Sequence, residues 1–460
     1  MEKQIINGLK MLQTKIKYNK FIFLVILTFL TSGAVFSSLP IAYLNTSGYE
    51  PAQQETAQGK NGMITTQHFL ATAVGEKILN QGGNAYDASI AIAFTLAVVL
   101  PRAGNIGGGG FMVMYDKDTD NAYSIDYREK APALAYKDMY LNDDGTFNDK
   151  KLSTFGYLSS GVPGTVAGMW EVHKKFGSLP WSELLKDAIY YAENGFKITP
   201  YMEDVLKNYN QKLSHYPETK SIFQKDFPNF TNKKLFQKDL ANTLNRISSE
   251  GKKGFYEGYV AESIENDMKK NGGLITRADL KNYNPVWRLP LISNYRGNKV
   301  ITMGPPSSGG VHIIQMLNVL ENYQLNSYVH NSPEYINILG EVMKHAYSDR
   351  SKYLGDPDFY RVPIDDITDK NYANALRSGI NLAKATPSVD VQSGLDIDPE
   401  MLQVGKTLSD NESSETTHFS TWDQWGNVVS NTTTLNFSYA LDTNSVSKAS
   451  GLRRGNSITS

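Results

Sequence analysis

Apolar residues in this 460-residue chain fall into blocks, and the spacing within each block predicts the element it forms. The first block, Phe21 to Phe36, is almost wholly apolar; Lys15, Lys17 and Lys20 precede it and Ser37-Ser38-Leu39-Pro40 ends it. A basic stretch, a short apolar run and then small residues predict a secretory signal over residues 1–40 and export to the periplasm or cell exterior. The run falls short of the about 20 residues that a membrane span needs, so an uncleaved anchor is the alternative. Residues 41–62 are polar and predict a linker.

Helical spacing follows. His68 to Gln81 carries an apolar face and ends at Gly82-Gly83, a helix-stop signal. Asp87 to Leu100 is apolar nearly all round until Pro101 stops it, which predicts a helix covered on several sides. Phe111 to Tyr115 and the residues from Tyr123 predict strands, and most of Thr154 to Leu280 reads as helix. Lys207 to Lys238 has no clear period and predicts a surface loop with short helices. Leu289 to Ile301 predicts two strands around Tyr295-Arg296-Gly297-Asn298, and His312–Leu320 and Tyr335–Arg350 predict helices. Residues 380–415 turn polar again.

The last patterned stretch is a hairpin. Two runs rich in Thr, Val and Phe flank Asp423-Gln424-Trp425-Gly426-Asn427, where Gly426 suits the left-handed position of a three-residue loop. That loop, closed by Asp423 and Asn427, sets the register so that Thr416 faces Thr434. Alternation then places Thr432, Thr434 and Asn436 on one face.

Composition narrows the chemistry. Lys and Arg number 46 against 47 Asp and Glu, so no basic surplus points to nucleic acid. The absence of Cys excludes disulfides, thiol nucleophiles and Cys-ligated metals, and the seven His stand at no metal-binding spacing; no protein-bound metal is expected. The run Gly104-Asn105-Ile106-Gly107-Gly108-Gly109-Gly110 lacks the following Lys and helix of a phosphate loop. It predicts instead a backbone passing close to another backbone or a ligand.

Two residues offer chemistry. A Thr hydroxyl is a weak nucleophile, but a Thr freed at a new N-terminus has its own α-amine as base, titrating at about 7.7–8.0. Thr416 could be such a residue, although Thr is also an ordinary strand residue. Arg128, in Asp126-Tyr127-Arg128-Glu129, could grip a carboxylate through two parallel hydrogen bonds, or could pair with Asp126 or Glu129.

Thr416-Thr417-His418-Phe419-Ser420, Asp423, Gly426-Asn427 and Thr434-Leu435-Asn436 resemble the processing site of the γ-glutamyltransferase (γ-glutamyltranspeptidase, glutathione hydrolase) family of N-terminal nucleophile hydrolases. Gly82-Gly83-Asn84, the Gly104–Gly110 run, Asp126–Pro132, Pro305–Gly310, Tyr347–Arg350 and Leu354–Phe359 extend the resemblance; Leu100 and Arg102 depart from it, outside the inferred site. The resemblance implies a four-layered αββα sandwich, here incomplete at the C-terminus. It also implies a precursor cut between Glu415 and Thr416 into a large-subunit region (41–415) and the start of a small-subunit region (416–460). Thr416 would be the nucleophile, Thr434 its hydrogen-bonding support, Arg128 the anchor of the glutamyl carboxylate and Asn436 a substrate contact. The implied substrate is glutathione or another γ-glutamyl compound, the acceptor water or an amino acid. A β-lactam acylase or poly-γ-glutamate depolymerase on the same scaffold is an alternative.

The resemblance is expected to stop at Asn436. Beyond it the family carries acidic residues for the substrate amine, a Ser pair and a Gly pair forming the oxyanion hole, whereas this chain runs into a Ser- and Asn-rich tail to Ser460. The tail reads like unrelated sequence, as a shifted frame would give, so an inactive truncated remnant is a further alternative. A hairpin with so few strands after it is expected to leave the sheet unfinished.

Overall fold

The hairpin expected to leave the sheet unfinished lies inside the main sheet, with a strand on either side. The computed structural model describes residues 57–146, 153, 156–395 and 416–436; the signal stretch, Glu415 and the tail after Asn436 lie outside these. Besides a two-residue pairing of Phe196–Lys197 with Lys234–Leu235, the strands in chain order are β1 (Gly62–Thr65), β2 (Gly109–Asp116), β3 (Asn121–Asp126), β4 (Val286–Arg288), β5 (Leu291–Tyr295), β6 (Asn298–Thr302), β7 (Thr416–Asp423) and β8 (Val428–Thr434). Six form one antiparallel sheet in the order β1-β7-β8-β2-β3-β4, while β5 and β6 make a separate hairpin. Strands from the N-terminal part of the chain therefore bond to both edges of β7–β8, which corrects the expectation of an unfinished edge there.

The turn itself follows the sequence. The Asp423 N–H donates to the Asn427 carbonyl (3.1 Å), and Gly426, at φ +92°, donates to the Asp423 carbonyl (3.1 Å). A side chain at that φ would be strained, which is why Gly stands there.

Helices cover one face of the sheet. After α1 (Phe69–Asn80), every residue of α2 (Ala85–Val99) is buried, and α2 packs on α1, β7 and β8. Against it lie α3 (Thr165–Phe176) and α4 (Trp181–Asn194), and α5 (Lys238–Glu250) packs on α4. Burying each large side chain of α2 stabilises by about 1.5–3 kcal/mol, which outweighs the weak helix propensity of its Ile and Val residues. Its first turn is tied down from two sides. Asn84 and Asp87 form a capping box, and Asp423 Oδ2, at the hairpin tip, accepts from the Ala85 N–H at 2.9 Å. Among the described residues no helix is long and apolar enough to cross a membrane.

Along β7, Thr417, Phe419, Thr421 and Asp423 are buried toward the helices, while Thr416, His418, Ser420 and Trp422 are half-buried or exposed on the other face. The stretch Lys207–Lys238 contains short helices as predicted (Asn210–Leu213 and Pro217–Phe223) but is not confined to the surface. Leu213, Phe223, Phe230 and Leu235 sit in the main core and pin it down, an irregular spacing that no periodic pattern reveals. Farther along, α6 (Ser308–Leu320) and α7 (Pro333–Tyr353) enclose a smaller apolar cluster with Val319, Ile338 and Val342.

His68 gives a pH-dependent term. Its Nδ1 accepts from the Leu70 N–H at 3.3 Å as the cap of α1, and burial pushes its pKa from 6.5 down to about 4. The unfolded chain takes up this proton near pH 6.5 and the folded one only near 4. Stability is therefore complete above pH 6.5 and falls as the pH drops toward 4, by up to ~3 kcal/mol. His68→Asn keeps a capping acceptor and removes the titration. Urea unfolding of both proteins at pH 7.5 and 4.5 should show the smaller pH loss in the variant; equal losses would refute this assignment.

Candidate active site

The pairing of β7 with β8 sets Thr434 opposite Thr416, as the hairpin register predicts. The Thr416 hydroxyl points to Thr434 Oγ1 at 3.4 Å, a long contact, and Thr434 Oγ1 also accepts the Asn436 N–H at 2.8 Å. Strand β8 ends at Thr434, and Asn436 takes φ +63°, a left-handed conformation that Asn tolerates better than most residues. Asn436 thus leaves the strand face on which simple alternation puts it. The turn carries its side chain to Arg128 instead, whose Nη2 donates to Asn436 Oδ1 at 3.1 Å. Thr416, Thr434, Asn436 and Arg128 form one connected line. Glu415 lies outside the described residues.

Arg128 stands two residues past the end of β3. Of the two ion pairs open to it, the structure forms the one with Glu129 (Nε to Oε2, 3.3 Å), while Asp126 bonds Arg288. The guanidinium also lies 5.8 Å from the Phe111 ring centroid and remains about 30% exposed. It is a fork partly engaged on one side and open toward solvent. That is the state expected of a residue able to receive a carboxylate.

The glycine run does bring two backbones together. A Cβ on Gly108 would lie 2.3 Å from the Thr434 carbonyl oxygen, and one on Gly110 would lie 2.2 Å from that of Thr432. Glycine is required there by contact with β8, and the close approach holds the strand that carries Thr434.

Three supports escaped the sequence reading. Asn105 is buried and bridges segments. Its Nδ2 donates to Thr433 Oγ1 (3.1 Å) and the Thr434 carbonyl (3.0 Å), and its Oδ1 accepts from the Gly108 N–H (2.9 Å) and Thr165 Oγ1 (2.6 Å). A lone amide inside a run of Gly and apolar residues was the available signal. Buried Tyr127 donates to Asn431 Oδ1 at 2.6 Å, and Tyr283 donates to the Arg128 carbonyl at 2.6 Å.

His418 lies two residues beyond Thr416 on the same sheet face. It meets Thr432 Oγ1 at 2.8 Å and Ser420 Oγ at 3.2 Å, and burial lowers its pKa below the ordinary 6.5. Among the described residues no group of three or more His, Asp or Glu is arranged to hold a metal ion.

Comparison with known proteins bears on the whole chain. The family model for gamma-glutamyltranspeptidase matches residues 71–452, past Asn436, where the motif-level resemblance was expected to end. A glutathione hydrolase proenzyme of Escherichia coli is 40% identical over 93% of this chain and 72% of its own length. One of Pseudomonas aeruginosa is 40% identical over 82% of this chain and 64% of its own, so the chain spans about two thirds of such relatives. Among solved structures, Helicobacter pylori gamma-glutamyltranspeptidase superposes with a TM-score of 0.71 at 45% identity, over 77% of this chain and all of that one. The mixed helix and sheet architecture is that of the N-terminal nucleophile hydrolase sandwich to which that neighbour belongs. With the motifs, the fold and most of its length in agreement, this chain belongs to the gamma-glutamyltranspeptidase family of enzymes.

Proposed function

We propose that the chain is the precursor of a γ-glutamyl transferase or hydrolase that cuts itself between Glu415 and Thr416 and then uses Thr416 as nucleophile. The observation that carries this reading is the hydrogen-bonded line Thr416–Thr434–Asn436–Arg128, which joins a candidate nucleophile to a candidate carboxylate anchor. In the continuous chain the Thr416 nitrogen is an amide and no base; cleavage converts it to an amine that titrates near neutral pH. The Thr416 hydroxyl then attacks the γ-carbonyl of glutathione or a related amide, and its own amine takes the proton and delivers it to the leaving amine. Water or an amino-acid amine resolves the acyl-enzyme. Arg128 holds the glutamyl α-carboxylate, Asn436 a neighbouring polar group, and Thr434 orients the nucleophile.

No residue in this scheme requires a cofactor. The signal-like residues 1–40 support a site of action in the periplasm or outside the cell.

Intact mass of the purified chain tests the first step. Two fragments divided between Glu415 and Thr416 are expected, together with hydrolysis of a γ-glutamyl anilide in preference to an acyl side-chain amide. A single uncut species with no hydrolysis would reduce the assignment to ancestry, and preference for the acyl amide would turn it toward an acylase.

A further inference from the structure

Arg128 is held at both ends of its own backbone. Its N–H donates to Asp126 Oδ1 at 3.0 Å, and its carbonyl accepts from Tyr283 at 2.6 Å. Asp126 is buried, and its second oxygen accepts from Arg288 Nε at 2.8 Å. The other two guanidinium nitrogens of Arg288 grip both oxygens of Asp358, each at 2.9 Å. Arg288 is itself fixed in β4 opposite Ser124, whose hydroxyl donates to the Arg288 carbonyl at 2.9 Å. One planar fork thus serves two carboxylates through three bonds, a geometry that Lys cannot reproduce.

The consequence concerns the guanidinium two residues beyond Asp126. A buried carboxylate needs a cation. With Arg288 removed, Arg128 would be drawn back onto Asp126 and away from Asn436. We propose that Arg288 is a positioning residue: by occupying Asp126 it keeps the Arg128 guanidinium directed at Asn436 and at the carboxylate of an incoming γ-glutamyl substrate. Asp358 anchors Arg288 in that role and joins the Leu354–Phe359 loop to the site. The inference rests on the γ-glutamyl reading for its substrate and on contacts within the chain for its mechanism.

The test uses the full chain as wild type, Arg288→Gln and the double variant Arg288→Gln/Asp126→Asn. Self-cleavage, KM and kcat for a γ-glutamyl anilide, and amide hydrogen exchange across residues 126–130 are measured on each. Arg288→Gln is expected to raise KM by about 10-fold or more with kcat within about 2-fold, to self-cleave normally, and to exchange faster at Arg128. The double variant removes the competing carboxylate charge and is expected to return KM to within about 3-fold of wild type.

A merely structural role would lower kcat, self-cleavage and thermal stability together without rescue, and that result overturns the proposal. Unchanged exchange at Arg128, or faster exchange with unchanged KM, overturns it equally. If the wild type neither cleaves nor hydrolyses the anilide, the functional reading fails, and hydrogen exchange still decides whether Arg288 governs Arg128.

Discussion

Thr416→Ala is expected to leave the purified chain in one piece and without γ-glutamyl hydrolysis. Two separate causes converge on that result. The alanine has no hydroxyl to attack the preceding carbonyl, so the bond to Glu415 persists. It also has no hydroxyl to attack a substrate even if the bond were broken by other means. Loss of a nucleophile lowers turnover on the order of 10⁶-fold in enzymes where it acts with its base as a unit. Thr416→Ser separates the causes, because a hydroxyl remains while the methyl group that restricts its rotamer is lost. The Ser variant should still cut, more slowly, and retain part of the activity. Because Thr416 is only half-buried at the start of β7, neither change is expected to unfold the sheet. Intact mass over a time course, with urea unfolding alongside, checks both. Cleavage of the Ala variant at the same bond and rate would remove Thr416 from the mechanism.

Arg128→Lys should raise KM for a γ-glutamyl substrate by about 10²-fold, and Arg128→Ala by about 10³-fold, while self-cleavage proceeds in both. The planar fork offers a carboxylate two parallel bonds, whereas the Lys ammonium offers a point charge. Truncating one partner of a desolvated charge pair costs about 2–5 kcal/mol, which spans these factors. Self-cleavage is spared because Arg128 acts on the carboxylate of the substrate and takes no part in breaking the bond between Glu415 and Thr416. The contact from Arg128 to Asn436 is lost in the Ala variant, but Asn436 keeps its backbone bond to Thr434, so the hairpin end stays in place. Steady-state kinetics decide the matter: an unchanged KM in the Lys variant would mean that Arg128 serves only its ion pair with Glu129.

The chain's local grammar was enough for the hairpin. Gly426 between Asp423 and Asn427 dictates the loop, the loop dictates the register, and the register places Thr416 opposite Thr434. The same kind of short-range signal located α1, α2 and the turn at Arg296-Gly297 between β5 and β6, where both residues take positive φ. Glycine crowding at Gly108–Gly110 was legible as a close approach, though not what approached. Each of these follows from steric rules acting over a few residues, which sequence states directly.

What tertiary structure alone decided is which segments meet. No pattern in β7 or β8 names β1 and β2 as their neighbours, because any strand edge offers the same backbone groups. Arg128 and Asn436 are 308 residues apart in sequence, yet their contact links the candidate anchor to the strand end that carries the candidate nucleophile's partner Thr434. The partners of Asn105, Tyr283 and Arg288 are likewise distant, and Asn436 reaches its partner only because the chain turns left-handed after the strand has ended. Sequence by itself determined the hairpin, its register and the chemical identity of the candidate site. Packing of the whole chain determined the site's geometry, because burial and sheet pairing act between segments that no local rule connects.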